Sequence, residues 1–317
     1  MNFILSPKNI TVTISLYNKE NSIINAVESV IHQTVFPLSI IIVDDGSTDS
    51  GPEIVKSLCN KYECIKLIQQ ENQGVSVARN RGVEEAETDL VCFLDADDVW
   101  HPTYIENLIE LYKEVGDADF YCLAYQMQSS IGLIKPKVAL SENFKGIVSD
   151  PVKTYSRGYG LIHTSAVCVR KTFFYQVGGF PVGENFGEDL YFWLIAGLKG
   201  RVAFINKISV TLHKEPVNSI KRREHHPFHV SYFVQNMDTF SREDQKSLKE
   251  FLIKNIYLQW AAAKIENNAV QQRILRKYCF KMSYFSGLLL LIAHLLPSEV
   301  FSFLKEKRKA RRLIEKN

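Results

Sequence analysis

From Ile10 to Val115 the chain alternates between two hydrophobic periods. Near-continuous apolar or β-branched runs at Ile10–Leu16, Ser39–Val43, Cys64–Ile68 and Leu90–Leu94 predict strands. Between and after them, Glu20–Gln33, Pro52–Cys59, Val75–Glu87 and Pro102–Val115 read as helices. Ile23, Ile24, Val27, Val30 and Ile31 show the helical spacing. Strands separated by helices indicate βαβ units and a parallel sheet. The runs lack polar alternation, which places covering elements on both faces of that sheet. Ligands of such sheets bind beyond the carboxyl ends of the strands. Two acidic clusters fall there: Asp44-Asp45 after the second strand and Asp95-Ala96-Asp97-Asp98 after the fourth. Both belong on one rim.

The middle of the chain, about Asp119–Thr211, mixes strand-like runs (Phe120–Met127, Ala166–Arg170, Val202–Ile205) with glycine-rich turns. An amphipathic helix is predicted over Glu188–Leu198, and from Pro227 onward the pattern is mostly helical. The expected division is an α/β domain over 1–226, with halves of about 1–118 and 119–226, followed by a helical region over 227–317.

Composition narrows the class. Of 317 residues, 46% are hydrophobic and 23% charged, an ordinary globular balance, and the net charge of +3 is too small to indicate a nucleic-acid partner. The six cysteines form no Cys-x-x-Cys pair, and no histidine cluster completes a zinc site, so they read as reduced structural thiols of a cytosolic protein. Met1–Asn9 lacks a basic n-region and does not read as a signal peptide. Near the C-terminus, the apolar block Phe285–Leu296 has only 12 residues. A membrane-spanning helix needs about 20. The block is open between a buried core helix and one lying in a membrane interface. In the second reading the six cationic residues between Lys305 and Arg312 are drawn to anionic lipid, an attachment at the inner face of the cell membrane.

The acidic clusters carry the chemistry. Three carboxylates in the four residues Asp95–Asp98 repel one another and lose hydration at the end of a buried strand. A hard divalent cation with oxygen ligands, sharing a substrate phosphate, meets that need. On the neighbouring rim, Asp45 could accept hydrogen bonds from a base or ribose, and Tyr17 could stack on a base. Asn18, Glu20 and Asp45-Gly46-Ser47 also read simply as a helix cap and a turn. Arg79 could reach a diphosphate with its forked donors, or lie on a solvated helix face. Neither G-x-G-x-x-G after a strand nor G-x-x-x-x-G-K-[ST] is present. That argues against a dinucleotide dehydrogenase and a P-loop NTPase.

Four segments in order amount to a resemblance: Ser15-Leu16-Tyr17-Asn18-Lys19-Glu20, Val43-Asp44-Asp45-Gly46-Ser47-Thr48-Asp49, Asn72-Gln73-Gly74 with Ala78-Arg79-Asn80-Arg81-Gly82, and Leu94-Asp95-Ala96-Asp97-Asp98. Over about residues 10–220 the chain resembles family 2 glycosyltransferases of GT-A fold, of the bacterial polysaccharide or lipid-linked glycan type. The resemblance implies that Ser15, Tyr17, Glu20, Asp45, Arg79 and Asp95 hold a nucleotide-sugar. It implies that Asp97, in the Asp-x-Asp motif, coordinates Mn²⁺ or Mg²⁺, with Asp98 in support. Val177-Gly178-Gly179-Phe180 resembles the acceptor-side loop, here Gly178 and Gly179. Glu188-Asp189 matches the pair whose Asp189 is the general base. His213 stands where relatives carry a metal- or diphosphate-touching histidine. Thr211-Leu212 replaces their aromatic–basic pair, so a loop histidine stays an open reading, as does closure of Lys214–His226 over a diphosphate.

The function so implied is metal-dependent, inverting transfer of a hexosyl or N-acetylhexosaminyl group. The donor is a nucleoside diphosphate, UDP by expectation, and the acceptor is a hydroxyl of a glycan or lipid-linked glycan. Two alternatives share the fold: a sugar nucleotidyltransferase, which would carry a basic glycine-rich loop where Ser15–Glu20 stands, and a catalytically inactive glycan-binding protein.

Overall fold

The computed structural model describes residues 9–129, 132–184, 186–213 and 227–314. The chain forms two compact units, one of residues 1–184 and 188–214, the other of 185–187 and 215–317. The expected lid Lys214–His226 falls outside the described residues, as do Met1–Lys8 and the side chains of Arg308–Arg312.

The first unit is an α/β layer structure with a mostly parallel sheet flanked by helices. Its leading strands are β1 (Ile10–Leu16), β2 (Ser39–Asp44), β3 (Ile65–Gln69) and β4 (Leu90–Asp95), separated by α1 (Ile23–Ile31), α2 (Gly51–Lys61) and α3 (Val75–Glu85). Then come β5 (Val99–Trp100), α4 (Tyr104–Val115), β6 (Phe120–Ser129), β7 (Gly132–Ile134), β8 (Lys145–Ile147), α5 (Pro151–Gly158), β9 (Val167–Arg170), α6 (Lys171–Gln176), α7 (Glu188–Lys199) and β10 (Val202–His213). The ten-stranded sheet runs β3-β2-β1-β4-β9-β6-β10-β5, with β7 on β6 and β8 on β10. The long ladders (β1–β2, β1–β4, β2–β3, β6–β10) are parallel and the short ones antiparallel.

The apolar runs of β1, β2 and β4 are buried almost throughout, whereas β3, at the sheet edge, is buried fully only at Ile65. Ile10, Val12 and Ile14 of β1 and Leu90 of β4 have no exposed surface. Two-faced covering is what such runs require. Helix α3 lies close on β1 because residue 82 is glycine: a Cβ there would stand 2.5 Å from Thr13 Oγ1 and 2.8 Å from Thr13 Cβ. Register then sets the rim. Leu16 pairs with Asp44, and Ser15 lies between Val43 and Asp95, so the acidic ends of β2 and β4 flank the end of β1.

The second unit is helical: α8 (Phe228–Gln235), α9 (Arg242–Ile265), α10 (Ala269–Met282), α11 (Tyr284–His294) and α12 (Ser298–Ile314). Trp260 of α9, 1% exposed, anchors its core, with the Phe301 ring 5.5 Å away. Among the described residues no single helix is long and apolar enough to cross a membrane.

Candidate functional site

The loops after β1 and β2 are tied together. Asn18, in a left-handed backbone conformation (φ 51°), accepts from Thr48 N at 2.8 Å, and its own N–H donates to Ser47 Oγ at 3.0 Å. Glu20 Oε2 accepts from Ser50 N at 3.0 Å, serving the entrance of α2 as a side-chain cap does. Asp45 is buried. Its carboxylate accepts from Gln70 Nε2 (2.8 Å), Gln73 N (2.9 Å) and Gly74 N (2.8 Å). It thereby clamps the loop that opens α3. Tyr17 is half exposed above this rim, with its ring available for stacking.

The turn after β4 is held from two sides. Ser165 Oγ accepts from Asp95 N at 3.1 Å and donates to Asp98 Oδ2, while Asp98 Oδ1 accepts from His213 N at 2.9 Å. Burial raises the Asp98 carboxyl to about 8, and the charges of Asp95 and Asp97 push it the same way. Oxygens of Asp95 and Asp98 and a ring nitrogen of His163 lie within 4.8 Å of one another, a set that could hold a metal ion. Asp97 faces differently: its Oδ2 is 2.8 Å from Lys19 Nζ. His213 enters through its backbone, and its side chain is exposed.

Arg79 links this turn to α7. It is 6% exposed, with one guanidinium nitrogen 2.8 Å from Asp95 Oδ1 and the other 3.7 Å from Glu188 Oε1. Burial alone would lower its pKa, but the Asp95 and Glu188 carboxylates outweigh that and raise it, with Asp189 adding. Asp189 sits in the first turn of α7, where the helix end favours negative charge. Its Oδ1 accepts from Leu190 N at 2.6 Å.

The glycine loop is pinned to α3. Asn80 accepts from Phe180 N and donates to Phe180 O, both at 2.9 Å. The Phe180 ring lies 5.2 Å below the Arg79 guanidinium carbon. Gly178 and Gly179 have φ of 90° and 65°, and a Cβ on Gly179 would stand 2.9 Å from the Phe174 ring. On the other side of α3 is an open cavity of 730 Å³, lined in part by Gln70, Gln73, Asn80, Arg81, Tyr175 and Gly179. It is separate from the carboxylate cluster.

The expected residues thus gather around the ends of β1, β2 and β4 and the start of α7. Sequence patterns missed Lys19, Gln70, Asn80, His163 and Ser165. Lys19 and Asn80 stood inside quoted motifs, and their offset from the acids was the available signal. His163 and Ser165 lie in a short polar stretch of no recognisable spacing, and only the fold brings them to Asp95 and Asp98.

Comparison with known proteins agrees with this architecture. Residues 11–170 match the family described as Glycosyl transferase family 2. An uncharacterized glycosyltransferase of Escherichia coli K12, YibD, is 44% identical over 109 residues, 34% of this chain and 32% of that protein. Glycosyltransferase GlyA of Streptococcus pneumoniae is 29% identical over 211 residues, 62% of this chain and 29% of the relative. In both cases the match spans about a third of the relative's length. The crystal structure of S. aureus TarS in complex with UDP-GlcNAc superposes with a TM-score of 0.67 at 19% identity, covering 87% of this chain and 82% of that one.

Proposed function

The chain belongs to glycosyl transferase family 2; from that premise we propose that it is a glycosyltransferase that transfers a sugar, with inversion, from a UDP-linked donor to a hydroxyl of a glycan or lipid-linked glycan, using Asp189 as the general base. One observation carries the reading. The buried Arg79 holds the donor-side acid Asp95 and the start of the Asp189 helix on the two arms of one guanidinium. The base and the donor-binding turn are thereby kept on the same side of α3. The UDP-GlcNAc complex of TarS supports the choice of a uridine donor.

In this mechanism Asp189 takes the acceptor hydroxyl proton as the oxygen attacks the anomeric carbon from the face opposite the diphosphate. The bond from that carbon to the diphosphate oxygen breaks, and its electron pair leaves with the nucleotide. Tyr17, exposed on the rim, stacks on the base, with Ser15, Glu20 and Asp45 shaping the nucleoside side. Gly178 and Gly179 shape the acceptor side. Asp95, Asp98 and His163 fit a divalent cation, Mn²⁺ or Mg²⁺, because their donor atoms converge and the crowded carboxylates demand positive charge. Asp97, on the same turn, would add a further carboxylate to that set, and His213, at the end of β10, would contact the metal or the diphosphate. When bound, the cation supplies positive charge to the departing diphosphate.

The test is Asp189→Asn. Transfer is expected to fall by roughly 10²–10⁴-fold, the usual contribution of a positioned base. Thermal stabilisation by UDP-sugars with Mn²⁺ is expected to persist. Unchanged turnover would overturn the base assignment, and full activity in a chelator would overturn the metal role.

A further inference from the structure

The second unit turns an apolar face outward. On α11 and the residue that follows its last turn, Phe285, Leu288, Ile292 and Leu295 are 68%, 41%, 55% and 82% exposed. At about 100° per residue these four fall within an arc of about 80°. The inward side is taken by Leu290, 1% exposed, and by Gly287, which abuts the Phe280 ring. The pattern is inverted relative to a helix packed on a core, whose apolar stripe is buried. On α12, Phe303 and Leu304 are likewise 64% and 53% exposed. Between Tyr284 and Leu304 the only acid is Glu299, and no lysine or arginine occurs.

Charge then decides what covers it. Directly after Leu304 the chain carries six lysines and arginines against one glutamate over Lys305–Arg312, and Lys305 and Lys307 are exposed. A second copy of this chain carries the same basic run and offers no complementary negative charge to it. An anionic lipid surface offers both halves of the match, acyl chains for the leucines and negative headgroups for the lysines. Length excludes a span by α11 alone: its 11 residues extend far short of the hydrocarbon core. The α11–α12 pair is bent by 107°, so the two helices do not join into one straight span.

We propose that α11 and the first turns of α12 form a membrane-surface anchor that seats the helical unit on an anionic bilayer without crossing it. Binding is read without donor or acceptor, so it stands or falls separately from the transferase reading.

The experiment is flotation of the full-length chain with vesicles of phosphatidylcholine alone and of phosphatidylcholine with about 30% phosphatidylglycerol, at low and high salt. The expected result is flotation with the anionic vesicles only, at least tenfold weaker at 1 M salt and fully released by alkaline carbonate. Leu288→Glu/Ile292→Glu is expected to lose binding at least tenfold with an unchanged melting temperature; should it fail to fold, Leu288→Ser/Ile292→Ser replaces it. Lys305→Ser/Lys307→Ser is expected to weaken binding to anionic vesicles alone. No flotation by the folded wild type overturns the proposal. So does equal binding to neutral vesicles, resistance to carbonate, or a dimer dissociated by the same glutamate substitutions in a chain that ignores vesicles.

Discussion

Arg79→Met removes the cation that joins the donor turn to the base helix while keeping a long apolar stem. Two carboxylates each lose this ion-pair contact. Glu188 is 9% exposed in its side chain and has little access to water, whereas Asp95, at 27%, regains part of its hydration. Removing one member of a buried ion pair costs about 3–5 kcal/mol. Partial rehydration of Asp95 lowers this, so a stability loss of about 2–4 kcal/mol is expected. For a domain of this size each kcal/mol shifts the melting temperature by about 2–4 °C, so scanning calorimetry should register a drop of roughly 5–15 °C. Activity should fall further than stability, because Asp95 and the first turn of α7 are no longer held in common. Arg79→Lys separates the two effects. It keeps the charge but reaches one carboxylate at a time. Much of the melting temperature should return while the turnover number stays low. If Arg79→Met melts within 1 °C of the wild type and turns over at its rate, the guanidinium does not organise the site and the reasoning is wrong.

Four further outcomes are expected. Gly82→Ala should destabilise by about 1–2 kcal/mol in urea melts despite alanine's better helix propensity, because the new Cβ meets Thr13 and α3 must shift; a stabilised protein would contradict the close packing. Asn80→Ala frees both the N–H and the C=O of Phe180, so the KM for acceptor should rise while donor-induced thermal stabilisation persists, and an unchanged KM would detach the glycine loop from acceptor binding. For Asp98 the folded pKa of about 8 lies above the ordinary 3.8, so the folded state holds a proton the unfolded state has released. Stability of chelated protein should be complete below about pH 4, fall by up to about 1.4 kcal/mol per pH unit toward pH 8 and level off above it. Asp98→Asn should flatten that profile, and a wild-type profile already flat between pH 4 and 8 would refute the shift. Finally, His163→Ala should weaken Mn²⁺ binding at least tenfold by calorimetric titration; equal affinity would remove His163 from the metal site.

Much of the first unit is written in hydrophobic spacing. The strand at Ile10–Leu16 has the bounds that its apolar run predicts, and β2, β3 and β4 begin or end within a residue of theirs. Helix ends fit less well: the helix expected over Glu20–Gln33 spans only Ile23–Ile31, because Asn18 and Glu20 bind across to the neighbouring loop instead. β10 runs on to His213, well past the expected Ile205, through bulges around Ile208 and Val210 that break its apolar pattern while the ladder to β6 continues. Phe285–Leu296 reads from the sequence as a buried core helix or as one lying in a membrane interface; in α11 only Gly287 and Leu290 are buried.

The amino-acid sequence alone determined the βαβ order, the common rim of Asp45 and Asp95 and the family-like spacing of the acidic motifs. These follow from local periodicity and from the rule that parallel strands all end on one side. Tertiary structure alone decided which groups meet. His163 and Ser165 reach the Asp95–Asp98 turn through β9, which pairs beside β4 although 71 or more residues separate Asp95 from Val167 along the chain. Arg79 joins Asp95 to Glu188 because Gly82 lets α3 sink against β1. Such contacts depend on strand order and on the depth at which a helix packs, and neither leaves a period in the sequence.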